Sequence, residues 1–356
     1  MRVVERLERV DDVAALAAEW KALLRRLPDH SVFQTPEWIL PWWRTFGAGR
    51  LHVIAERSVD GVESIAPLFV SREHDKRAPS LTFIGTGNSD RLDIIAADAG
   101  AAARVAREIE AGAAHLGLSL DLQRLPHSSP LVWACRTGTL SDGVPCPALD
   151  LPRDDASLEL HVSQAMRKRL AYGRRRLARE GTLRFDTLRG SDVQDGLDEL
   201  FQLHAARWQR KGGTGVLHDP DVRRFHRAVA AGLDAAGDLR LLRLRAGSET
   251  AAVYYGFLTG RRECFYIAGF NPRFSAASPG AVLLREVLRR AIDDGAEIFD
   301  FLSGREAYKY EWGAEDRPFV ARTFWRPPES CLHHPTGEQR ISGRYDGLST
   351  SVDRAR

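Results

Sequence analysis

Ser278-Pro279-Gly280-Ala281, then Ile298-Phe299-Asp300-Phe301-Leu302, then Ser303-Gly304-Arg305-Glu306-Ala307-Tyr308-Lys309-Tyr310-Glu311-Trp312: residues 271–312 carry a helix start, a buried strand and a polar, aromatic loop in that order, and the rest of the chain is organised around them. Pro279 and Gly280 suit the first turn of a helix, where a backbone N–H has no intrahelical partner and proline has none to lose. Unpaired N–H groups there, with the positive end of the helix dipole, make a place for a phosphate. The strand then delivers Asp300, and the loop after it Glu306, Tyr308 and Lys309, to one edge of a sheet. Ligands of open α/β sheets tend to sit at such strand ends.

The chain of 356 residues is long for one domain and comfortable for two, and its 44% hydrophobic and 28% charged content is ordinary for a globular protein. A formal net charge of +3, from 51 basic and 48 acidic side chains, is close to balance, so basic behaviour has to come from local clustering. Cys135, Cys146, Cys264 and Cys331 show no CxxC spacing, which speaks against zinc and against a disulfide framework and fits a reducing compartment. No apolar h-region follows Met1 and no run of eighteen apolar residues occurs. The expectation is a cytoplasmic protein with no membrane span and no metal.

Taken in order, residues 10–27 place Val13, Leu16, Trp20, Leu23, Leu24 and Leu27 at helical spacing, closed by Pro28. Thr35-Pro36 opens a second helix rich in aromatics, Trp38, Trp42, Trp43 and Phe46, which read as core. Strands at 51–56 and 62–70 flank Asp60-Gly61, a hairpin signal. The glycine-rich Gly85-Thr86-Gly87-Asn88-Ser89-Asp90 lacks a following Lys-Ser/Thr and reads as a turn, not a nucleotide loop. An alanine-rich helix at 101–116, a strand at 118–125 and a strand ending near Leu151 complete a first half.

Residues 159–180 then read as one basic helix, with Arg167, Lys168, Arg169, Arg174, Arg175, Arg176 and Arg179 and a stop at Gly181. Such a run is either a solvated face or a phosphate contact, since arginine matches phosphate bidentately. Helices at 193–211 and 221–235, strands at 239–245, 251–259 and 264–268, the Pro279 helix, the Asp300 strand and a last strand at 319–325 follow. The two halves show a comparable order of elements, which suggests a duplicated α/β fold: a domain at 1–152, a second at 153–327, and a flexible tail at 328–356 that holds His333-His334.

The Asp300 to Trp312 run, preceded by Ser278-Pro279-Gly280, resembles the signature of the GNAT-like acetyltransferase domain of the CelD-like group, associated with cellulose and exopolysaccharide biosynthesis and similar in turn to the FemAB peptidoglycan aminoacyltransferases. The Pro36-Glu37-Trp38 helix start and the Arg207-Trp208-Gln209-Arg210-Lys211-Gly212 stretch resemble the same group, so the likeness runs from about Phe33 to about Trp325. It implies two tandem GNAT-like mixed-sheet domains and transfer of an acyl group from acetyl-CoA or another acyl-CoA to an amine or hydroxyl of a sugar or cell-surface polysaccharide precursor.

The resemblance also assigns roles. Ser278, Gly280 and Ala281, with Arg273 nearby, hold the donor's phosphates; Glu306 or Asp300 acts as general base, Tyr308 donates to the leaving thiolate, and Lys309 stabilises an oxyanion or pairs with a carboxylate. Arg174, Arg207 and Trp208 fall on the substrate side. The plainer alternative has Asp300 and Lys309 paired with each other and Tyr308 packed. The Gln/Arg-x-x-Gly-x-Gly/Ala loop of acetyl-CoA users is absent. Two further readings therefore stand beside the first: a FemAB-like transferase using aminoacyl-tRNA, motivated by the basic helix, and a GNAT-like module that binds without turnover.

Overall fold

Alternating apolar positions place strands, and 3.6-residue periodicity places helices on them, in two separate units. The computed structural model describes residues 2–27, 29–71, 79–210 and 212–326; the 328–356 segment with its histidines, Pro28 and Lys211 lie outside them. Within that range one unit comprises residues up to Val144 with those from Pro318, and the other runs from Pro145 to Arg317.

In the first unit the Val53–Ser58 and Gly61–Ala66 strands form the hairpin read from Asp60-Gly61, closing at Ser58↔Gly61. A second sheet holds a parallel pair, Ser80–Phe83 with Ser119–Pro126, bridged by the Ala99–His115 helix. Of the aromatics of the Pro36–Phe46 helix, Trp43 and Phe46 are partly exposed, while Trp38 and Trp42 are buried and donate their indole N–H groups to Ser89 Oγ (2.9 Å) and Asn88 Oδ1 (3.0 Å). Those two bonds tie down the Gly85 to Asp90 turn from inside.

The second unit is a mixed sheet of seven strands among the described residues, in the order Leu183–Thr187, Leu239–Ala246, Glu249–Thr259, Arg262–Phe270, Ile298–Asp300, Cys146–Asp150, Glu315–Arg317. Its one parallel pairing joins the Arg262 and Ile298 strands, and the Pro279–Asp293 helix supplies the crossover that a parallel pair needs. Each unit thus repeats one strand–helix–parallel-strand arrangement, and the fold is α/β with one mixed sheet in each unit. The Pro279 helix buries Val282, Leu283, Val287, Leu288 and Ala291 on the sheet. Each Leu or Val so buried contributes about 1.5–3 kcal/mol as an upper estimate.

Three readings change. The strand ending near Leu151 belongs to the seven-stranded sheet of the second unit, where Ala148 faces Asp300 and Glu315. The strand at Phe319–Phe324 belongs to the first unit, in the sheet of the Ser80 strand, paired with Ser119–Pro126 and Thr139–Asp142. Apolar alternation makes a strand but carries no information on which edge it joins. The basic segment is two helices, Asp155–His161 and Gln164–Leu177, because Ser163 caps the second by accepting from the N–H of Met166 (3.2 Å). Gly173 brings that helix close: a Cβ there would lie 2.3 Å from the carbonyl oxygen of Ala277.

Candidate functional site

The site follows from how the parallel pair ends. Register holds for Arg262↔Ile298, Glu263↔Phe299 and Cys264↔Asp300. The Arg262 strand then continues to Phe270 while its partner stops at Asp300 and turns away through Leu302, whose φ is +58°. The two strands therefore splay, and a cavity of about 470 Å³ occupies the gap. One wall is the Arg262 strand (Phe265, Ala268, Gly269, Phe270), another the start of the Pro279 helix, and a third the Ala307–Glu311 helix that follows the turn. A bulge on the same strand, between Tyr255↔Ile267 and Gly256↔Phe265, breaks the regular ladder beside it.

Of the residues singled out from sequence, Arg207, Ser278, Gly280, Ala281, Glu306 and Tyr308 line this cavity. Ser278 is in the left-handed region (φ 48°) and its carbonyl accepts the first helical bond, from the N–H of Val282 (3.1 Å). The N–H groups of Gly280 and Ala281 precede that bond and have no intrahelical acceptor. A Cβ on Gly280 would meet only Phe270, at 4.0 Å. Arg207 is buried, with its guanidinium 5.5 Å from the Phe270 ring centroid. Tyr308 packs edge-on to Phe301, centroids 6.1 Å apart.

Five others do not line it. Asp300 is buried beneath the strand end, paired with Arg262 (Oδ2 to Nη1, 3.0 Å) and accepting from the N–H of Leu302 (Oδ1, 2.8 Å), so it holds the turn. Lys309 is fully buried; its ammonium donates to the carbonyls of Leu302 (3.0 Å), Ser303 (2.9 Å) and Gly304 (3.0 Å) and pairs with Glu306 Oε2 (2.8 Å). Asp300 and Lys309 are thus paired with Arg262 and Glu306 respectively. Arg273 is half-exposed and engaged by Glu180 (2.8 Å) and Glu249. Arg174 lies over the Phe185 ring, on the outer edge of its helix. Trp208 donates its indole N–H to Nε2 of His204 (3.0 Å), and burial, with Arg207 and Arg223 nearby, lowers the His204 pKa to about 4.

Arg169, Glu311 and Trp312, not expected from the sequence to do so, also line the cavity. Arg169 pairs with Glu311 (2.5 Å). The buried stripe of its helix, Met166, Leu170, Gly173 and Leu177, was readable from periodicity. Arg169 borders that stripe on one side and Arg174 on the other, and periodicity does not say which border faces a cavity. Glu306 and Lys309 together can hold a carboxylate at the cavity wall in a fixed orientation, opposite a helix start able to take an anion. Among the described residues no cluster of His, Cys, Asp and Glu has the makings of a metal site.

Residues 164–310 match the family model described as an acetyltransferase (GNAT) domain. The matched span lies within the second unit and contains the splayed strands, the Pro279 helix and Glu306. No curated protein matches the chain. Among solved structures it is similar to FemX, at 11% identity over 89% of this chain and 96% of that one, with a TM-score of 0.62. It is also similar to the C-terminal domain (DUF2156) of a putative lysylphosphatidylglycerol synthetase from Agrobacterium fabrum (15% identity, 87% and 92% covered, TM-score 0.55). A third likeness is to L-PGS from Bacillus licheniformis (12% identity, 88% and 93% covered, TM-score 0.54). At these identities the likeness is one of fold.

Proposed function

We propose that the second unit is an acyltransferase whose donor is an acyl-CoA bound in the splayed cavity. The observation that carries this reading is the convergence, in one cavity, of an open strand edge, the free first-turn N–H groups of Gly280 and Ala281, and the Glu306 carboxylate. A phosphate of the donor rests on the helix start, and the acyl carbon lies along the Arg262 strand, within reach of the loop after Asp300. Glu306 takes the proton of the attacking amine or hydroxyl as the new bond to the acyl carbon forms. The C–S bond breaks, and Tyr308 supplies a proton to the departing thiolate. Lys309 acts through Glu306 and the 302–304 carbonyls and touches no reactant; Asp300 acts through Arg262.

The CelD-like resemblance points to an amine or hydroxyl of a sugar or cell-surface polysaccharide precursor as acceptor. A second reading, an aminoacyl-tRNA donor, is favoured by one observation: from Gln164 to Arg179 the chain has seven basic residues and no acidic one, and Arg169 is at the cavity rim. Calorimetric titration with CoA, acetyl-CoA and a charged tRNA separates the two. Saturable CoA binding that is weakened at least about tenfold by Gly280→Asp and kept by Gly280→Asn supports the acyl-CoA reading, because position 280 has room for a Cβ and Asp and Asn are close in shape and differ in charge. Tight tRNA binding with no CoA binding favours the second.

A further inference from the structure

The cavity changes character with depth. Its rim is polar, with Arg169, Ser278, Glu306 and Glu311. Its floor is formed by Tyr254, Phe265, Leu283, Leu284 and Trp312, each at most 4% exposed and all members of one hydrophobic core cluster. Tyr254 offers that floor its ring, because its hydroxyl is engaged elsewhere, donating to Glu263 Oε1 (3.0 Å) and reaching the carbonyl of Cys264 (3.2 Å). The hydroxyl fills the space that Gly256 leaves: a Cβ on Gly256 would lie 2.3 Å from it.

Protein interiors contain few voids larger than a water molecule, and an open recess against core side chains forfeits their dispersion contacts. A recess of this kind is kept for an apolar occupant. An acetyl group brings one methyl to a floor of five large side chains and leaves most of it facing empty space. The Pro279 helix start fixes where the donor's phosphates lie, and Leu283 and Leu284, one turn further along the same helix, place the apolar floor on the inward side of that point. The polar groups that handle acyl transfer are at the rim, so a chain attached to the acyl carbon has one apolar direction in which to run.

We propose that the donor carries an apolar acyl group longer than acetyl, seated on this floor, and that acetyl is the poorer donor. The inference rests on the reading of the cavity as the acyl-CoA site. Binding of CoA, acetyl-CoA and octanoyl-CoA to the full chain by calorimetry tests both. Each buried methylene tightens binding about fourfold, so burial of two of the six that octanoyl adds gives at least about tenfold over acetyl-CoA. Leu284→Phe, which fills the floor, brings the octanoyl-to-acetyl ratio toward one; Ala268→Leu narrows the same recess from the strand should the first variant not fold. CoA binding with equal affinity for acetyl and octanoyl donors overturns the chain-length inference and leaves the donor site standing. No binding of any CoA species overturns the donor site, and this inference with it.

Discussion

Replacing Lys309 by Met separates a structural lysine from a catalytic one. Methionine keeps most of the stem and removes the ammonium, which donates to the three carbonyls of Leu302, Ser303 and Gly304 and pairs with Glu306. Hydrogen bonds to a charged group contribute about 1.5–3 kcal/mol each, and three on one ammonium do not add independently. Removing one partner from a buried ion pair costs about 3–5 kcal/mol, and here it also releases the turn that holds Leu302 at φ +58°. Against a typical stability of about 5–15 kcal/mol, a loss of roughly 4 kcal/mol is a large fraction and lowers Tm by on the order of 10 °C. Urea unfolding of both proteins without ligand measures it. A Met variant with an unchanged urea midpoint and full donor binding, but with acyl transfer abolished, refutes the structural assignment and makes Lys309 a group that meets the substrate.

Glu306→Gln keeps the shape at the cavity wall and removes the base; it lowers kcat about a hundredfold with donor affinity kept, and a loss of less than about threefold counts against that role. Burial pushes the Glu263 carboxyl up from 4.5 to about 7, against the pull of Arg240 and Tyr254. The folded state therefore holds a proton that the unfolded state has released, and this contribution to stability, roughly 3 kcal/mol, is present below about pH 4.5 and lost as pH rises through about 7. Glu263→Gln removes that slope in a pH series of urea midpoints, and an unchanged slope contradicts it. If Arg174, Arg175 and Arg176 contact a polyanion, its affinity falls steeply from low to physiological salt; a flat salt dependence assigns them to a solvated face.

What could be read from sequence was what local chemistry decides. Pro279 at the first helical position, the Asp60-Gly61 hairpin and the buried aromatics of the Pro36 helix each declare themselves within a few residues. The composition of the loop after Asp300 marks it as functional, yet its sequence does not give the directions of its side chains. They depend on a left-handed Leu302, which nothing in a leucine announces, and on an ammonium folding back onto the carbonyls of its own turn. Pairing across long separations was hidden as well. Neither the docking of the Cys146 strand beside Ile298 nor the exchange of the Phe319 strand leaves a mark on the residues involved. The splay that opens the cavity is a difference in where two strands stop, and periodicity does not locate it.

Amide hydrogen exchange with and without saturating acyl-CoA shows whether the gap between the Arg262 strand and the Pro279 helix is the acyl-donor site. A donor seated there slows exchange at residues 265–270 and 278–284, where it covers the open strand edge and the first-turn helix N–H groups. Protection confined to other elements, or none at saturating acyl-CoA, contradicts that placement.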